Sequence, residues 1–334
     1  LNGRRSADEI AELAKLAEDA NIRQLWLSAG ARAKDHFLRL AVAAVRTSRI
    51  GLGPIAISPF DTHPGRIALE LLTFNELARG RARIVLGGGG DFVAALGLQP
   101  RRRVQAVAET IDIVRALAGG GEVRYPGEMF RLEGLFSPWA TTAVPPLYVG
   151  ANRPRMLRMT SGKADGVMFT DMPFAYVASL VEQIRSGLAE AGRSPAPFSV
   201  SNWFVWNVQP TRGEAYELAG RQLGFRLYYI RDVASSIGVT DAEAAELERR
   251  QPEMVRAIHE GKDPWRPPRP VAERLIQTLT ISGGRQDLDG CVERLLEFER
   301  AGLNEVALAL HGDAGSAIKL LGERVIPVVQ RDEA

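Results

Sequence analysis

The chain has 334 residues, enough for one large barrel or two ordinary domains. Its 46% hydrophobic and 25% charged content exclude disordered, fibrous and membrane classes. A formal net charge of +2, from 42 Lys and Arg against 40 Asp and Glu, gives no reason to expect a nucleic-acid partner.

Ser6 followed by Glu9 forms a capping box, and Ile10, Leu13, Ala14 and Leu16 repeat at helical spacing, so a helix is predicted from Ser6 to about Asn21. The apolar run Ile22 to Ser28 reads as a buried strand. The alternation continues with a helix from about Asp35 to Thr47, a strand Ile50 to Ile57, a helix Pro64 to Leu77 and a strand Ala82 to Leu86. Next come a helix Val104 to Ala118, a strand Pro145 to Gly150, a helix Pro154 to Gly162 and a strand Gly166 to Thr170. The rest reads as a helix Phe174 to Ala191, a strand Phe198 to Val208, a helix Asp289 to Ala301, a strand Glu305 to Leu310 and a helix Ala314 to Val328. Alternating elements with near-continuous apolar strands imply a parallel sheet covered on both faces, either doubly wound or closed into a barrel.

Two stretches break the rhythm and read as insertions. Residues 122–139 contain a predicted hairpin turning at Pro126-Gly127, and Gly224 to Pro270 is largely helical in pattern. Within the latter, Asp263 to Pro270 is too proline-rich for a helix or a central strand. The one cysteine, Cys291, sits in an amphipathic helix pattern, which rules out a disulfide within the chain and fits a reducing, cytoplasmic setting. No apolar run reaches the roughly 18 residues a membrane span needs. No histidine spacing matches a metal motif, so no metal is expected.

The segments Gly51 to Asp91 and Pro145 to Phe169 resemble luciferase-like oxidoreductases. Within them the similarity is greatest to the methylenetetrahydromethanopterin-reductase-like branch, which uses the deazaflavin coenzyme F-420, although enzymes that use FMN share much of the pattern. The resemblance spans nearly the whole chain and implies one α/β domain over 1–334, a bacterial-luciferase-like (β/α)8 TIM barrel with the two insertions. It also implies a first strand just before Leu1, so the barrel's first strand is expected to be missing from the sequence. Relatives are commonly dimers, so a homodimer acting on a small-molecule substrate is expected.

Barrel ligands sit at the C-terminal ends of the strands, and both motifs are placed there. Gly87, Gly88, Gly89 and Gly90 follow a strand directly; they either admit a cofactor ring or phosphate to the backbone or form a plain turn. Asp91 is the candidate catalytic carboxylate and equally a candidate helix N-cap. Gly150, Ala151, Asn152 and Arg153 end a strand and open a helix at Pro154, leaving N–H groups suited to a phosphate, with Arg153 as either its partner or a surface arginine. The resemblance further assigns Ser28, Pro54, Ile55 and Ala56 to the cofactor and implies a β-bulge with a non-proline cis peptide at Ile55-Ala56. Non-proline cis bonds are rare enough to make this a sharp expectation.

One departure stands out. Many relatives carry Asp-His where this chain has Ala29 and Gly30, and neither residue can transfer a proton. His63 beside Pro64 reads as structural or phosphate-neighbouring, and Trp203, Phe204 and Trp206 read as packing. Three functions remain in view: hydride transfer between coenzyme F-420 and a small organic substrate, an FMN-dependent monooxygenase, and a non-catalytic cofactor-binding homologue.

Overall fold

A computed structural model describes residues 4–140 and 143–330. Contacts between backbone positions divide them into two compact units. The first runs up to Met168 and includes Gln183–Ser199 and Ile318–Ile326; the second comprises Phe169–Glu182, Val200–Ala317 and the residues from Pro327.

The first unit opens with the helix Ala7–Asp19, capped by Ser6 and Glu9 as the sequence predicts. Its strands are β1 (Gln24–Ser28), β2 (Gly51–Ile57), β3 (Ile84–Leu86), the hairpin pair β4 (Glu122–Pro126) and β5 (Arg131–Phe136), β6 (Leu147–Gly150) and the start of β7 (Gly166–Thr170). β1, β2, β3, β6 and β7 pair in that order, all parallel. Leu27, Leu52, Ile84, Leu86, Leu147 and Val149 are fully buried, which explains why these strands read as continuous apolar runs. The helices His36–Arg46, Pro64–Leu77, Arg103–Leu117 and Pro154–Lys163 fall within one or two residues of their predicted spans.

Two buried carboxylates tie the connections of this unit. Glu18, 4% exposed, accepts the backbone N–H groups of Ser48 at 2.8 Å, Arg49 at 2.6 Å and Ile50 at 3.1 Å, which fixes the entry into β2 against the first helix. Burial acts to raise its pKa, but these donors and the nearby Arg49 charge outweigh it and hold the group at about 2. Glu109 accepts the N–H groups of Glu128, Met129 and Phe130 at 3.0, 3.0 and 2.9 Å, holding the hairpin loop. The predicted hairpin at 122–139 is thereby present, with its turn over 127–130.

The second unit holds most of β8 (Ser199–Gln209), together with β9 (Thr280–Gly284) and β10 (Glu305–Leu310), both of which pair parallel with β8. Phe204 packs edge-on against Phe298 at 5.0 Å between ring centroids, in line with the packing role read for this aromatic run. The insertion is helical as expected, with Asp241–Glu260 its longest helix. Three details differ from the sequence reading, the first being the helix Arg212–Gln222, for which no element was predicted. β9 was not predicted, because Thr280-Ile281-Ser282 alternates polar and apolar over too few residues before two glycines. The proline-rich linker ends two residues early, since Arg269 and Pro270 open the helix Arg269–Leu279, where a proline in the first turn costs no hydrogen bond.

Candidate cofactor site

Every residue the sequence assigns to the cofactor lies in the first unit, at or just beyond the C-terminal ends of β1, β2, β3 and β6. Ser28, the last residue of β1, pairs with Ile55, and Leu27 pairs with Pro54. The Ile55-Ala56 peptide is cis, and the register between β2 and β3 shifts between Ile55 and Ile57, so both the expected bulge and the cis bond are present. Ala56 is the one exposed residue of a strand whose other six are buried. The bulge therefore turns a single methyl-bearing position outward at the strand end.

The four glycines beside it have separate reasons. A Cβ added to Gly87 would lie 3.2 Å from the Ala56 Cβ, and one at Gly88 would lie 3.2 Å from the Arg103 Cβ and 3.5 Å from the Met156 Cε. Gly89 has φ +96, a conformation that side chains avoid, while a Cβ at Gly90 would meet nothing within 4 Å. Gly87 is held in place by its N–H to the Ile57 carbonyl at 2.9 Å. Met156 belongs to the helix Pro154–Lys163, so the glycine loop and the second motif are neighbours through Gly88. Sequence reasoning missed Arg103 and Met156; the arginine run 101–103 was the available signal.

Ala151 donates its N–H to the Met168 carbonyl at 3.1 Å, and Arg153 is the exposed N-cap residue of the ten-residue helix, without a side-chain cap. Proline at the first helical position leaves the remaining first-turn N–H groups directed out of the helix end, the arrangement that suits an anion. His63 caps the helix Pro64–Leu77, its Nδ1 accepting the Gly65 N–H at 3.1 Å, and it packs edge-on against Phe130 at 5.6 Å. Its role is structural.

Asp91 is not an N-cap. Gly90 holds that position, and Asp91 is the first residue of the short helix Asp91–Ala95. Its Oδ2 accepts the Ala31 N–H at 3.3 Å, and a Cβ added to Gly30 would come within 3.1 Å of the same oxygen. Asp91 thus occupies the space beside Gly30 that a side chain there would need.

Residues 2–305 match the sequence model of the family described as Luciferase-like monooxygenase. A 5,10-methylenetetrahydromethanopterin reductase of Archaeoglobus fulgidus is 28% identical over 333 residues, covering 96% of this chain and 95% of the relative. An F-420-dependent glucose-6-phosphate dehydrogenase of Nakamurella multipartita is 30% identical over 202 residues, covering 55% of this chain and 59% of the relative. Among solved structures, the coenzyme F-420 dependent tetrahydromethanopterin reductase of Methanopyrus kandleri matches with a TM-score of 0.84 at 25% identity, covering 98% of this chain and 97% of the other. That likeness bears out the expected fold class, an α/β barrel of parallel strands.

Proposed function

Because the chain belongs to the luciferase-like monooxygenase family, we propose that it is an oxidoreductase that uses coenzyme F-420 to transfer a hydride to or from a small organic substrate. The observation that carries a flavin-type cofactor is the exposed methyl of Ala56 at the strand-end bulge, beside the glycines Gly87, Gly88 and Gly89, where a side chain would crowd its neighbours at 3.2 Å and the backbone is left bare. The deazaflavin is chosen over FMN because the Nakamurella multipartita and Methanopyrus kandleri relatives are coenzyme F-420 dependent. Ser28, Pro54, Ile55 and Ala56 would bear on the ring, the glycine loop would admit it, and the helix start at Gly150 to Arg153 would take its acidic tail. Asp91 would hold or donate the proton, with the Ala31 N–H fixing its orientation. Bound there, the coenzyme supplies a hydride at its ring. We further read residues 1–334 as one catalytic domain working in the cytoplasm.

The test is titration of the purified chain with coenzyme F-420 and, separately, with FMN, following fluorescence quenching. Micromolar or tighter binding of the deazaflavin alone is expected, and selective binding of FMN overturns the assignment. Asp91→Asn should bind the deazaflavin within about threefold of the parent, a uniform-binding effect well under 1 kcal/mol. Its turnover of any substrate found by screening should fall about a hundredfold or more, the usual worth of a positioned acid or base.

We also propose that the chain is a homodimer through the helices His36–Arg46 and Pro64–Leu77, whose Leu38, Val45 and Leu77 are 72%, 66% and 43% exposed. Sedimentation velocity should give twice the chain mass, and Val45→Glu should shift it to the monomer while leaving deazaflavin binding in place.

A further inference from the structure

A second polar cluster, used by nothing above, lies in the second unit. Asp171 directly follows β7, adopts φ 54 and donates its N–H to the Trp203 carbonyl at 2.9 Å. Its carboxylate pairs with the Arg226 guanidinium at 2.5 Å, with the two side chains 7% and 13% exposed. Arg226 ends the 3-10 turn Leu223–Arg226, in the helical stretch between β8 and β9. His311 directly follows β10; its N–H is given to the Trp206 carbonyl at 3.0 Å, and its own carbonyl accepts Gln209 Nε2 at 3.3 Å. Burial and the Arg226 charge push the imidazole down to about 3, so it is neutral throughout the physiological range.

Among the described residues, Arg226 Nε and His311 Nδ1 are both buried with no hydrogen-bond partner. Buried polar nitrogens are rarely left unsatisfied, since each costs about 1–3 kcal/mol. These two belong to groups that follow β7 and β10 or contact a residue that does, and strand C-terminal ends are where barrels bind ligands. Arg226 Nε is an obligate donor, and a neutral imidazole nitrogen complements it by accepting or donating. The two groups are close enough for the Arg226 charge to act on the imidazole, so a ligand group that can both accept and donate matches the pair.

Charge narrows the class. Arg226 is already compensated by Asp171 and His311 is neutral, so the cluster carries no net charge. An anion brought here would lose its water and face the Asp171 carboxylate as well as the guanidinium. We propose that Arg226 and His311 form a site in the second unit for a neutral ligand that bears an amide or hydroxyl group, and that Asp171 makes it reject anionic groups.

The experiment uses the full chain labelled with 15N and two isosteric probes, acetamide and acetate. The Arg226 Nε–H signal is identified by its loss in Arg226→Lys and the His311 Nδ1 signal by its loss in His311→Gln. Saturable shifts of both signals with acetamide, at a midpoint at least tenfold below that of acetate, are expected. In Asp171→Asn, where the guanidinium is uncompensated, the order should reverse. Should that variant fail to fold, Arg226→Lys abolishing the acetamide response at His311 carries the same reading. Acetate binding as tightly as acetamide overturns the proposal, as does an absence of saturation by either, which means the two nitrogens hold only water. Quenching of coenzyme F-420 on the same sample reports the first unit's site separately, so either reading can fail without the other.

Discussion

Gly89→Val will weaken deazaflavin binding by about tenfold to a hundredfold, whereas Gly90→Ala one residue on will leave it within about threefold. The two glycines are adjacent in sequence but not alike in cause. Gly89 sits at φ +96, and a Cβ there would also lie 3.2 Å from Pro100. Forcing a β-branched residue into that conformation costs on the order of 1–3 kcal/mol, which the loop relieves by moving away from the strand ends. Each 1.4 kcal/mol of the displacement costs a factor of ten in affinity. Gly90, at φ −143 with nothing within 4 Å of an added Cβ, has neither constraint. Isothermal titration of both variants decides the matter, and equal losses from the two would show that the loop is a plain turn rather than a cofactor loop.

Glu18→Gln will be strongly destabilising to the first unit. The carboxylate lies at about 2 in the folded chain against an ordinary value of 4.5, a difference worth about 3 kcal/mol. Because the folded-state value is depressed, this stability is complete above pH 4.5 and is lost as the pH falls from there toward 2. The parent chain should therefore lose stability steeply over that window, and the Gln variant, less stable at neutral pH, should lose less of what it has. Urea midpoints measured at pH 7, 4.5 and 3 test both halves; a parallel acid decline in parent and variant would place the effect elsewhere.

Most of the barrel's alternation was legible because its strands are buried on both faces and its helices carry clean start signals. Ser6 with Glu9, Asp35 and Pro64 each mark a helix start that the structure keeps within a residue. β9 escaped because its polar positions Thr280 and Ser282 hydrogen-bond to each other inside the unit, so burial there has no apolar signature. At the cofactor site, glycine runs and a proline-led helix are written in composition, and the bulge at Ile55-Ala56 was reachable through resemblance. The partnership of Asp91 with Gly30 was not, because the two are sixty-one positions apart and only the pairing of strand ends brings them together. The same limit hid Asp171, Arg226 and His311, which come from three segments that share no spacing.

The clasp of Glu109 on the hairpin loop has a bearing on how this chain can change over generations. Toward the loop its carboxylate reads only the main-chain N–H groups of residues 128–130, while Gln105 Nε2 donates to it from its own helix at 2.8 Å, so the clasp itself is blind to the identities of the loop residues. Gly127 is the exception, since an added Cβ there would lie 2.4 Å from the same carboxylate. The clasp thus permits drift at Glu128 and Met129 and blocks a side chain at Gly127, while Phe130 is held by its ring contact with His63, so the tip of the hairpin can acquire new side chains at two positions while its seat on the scaffold stays unchanged.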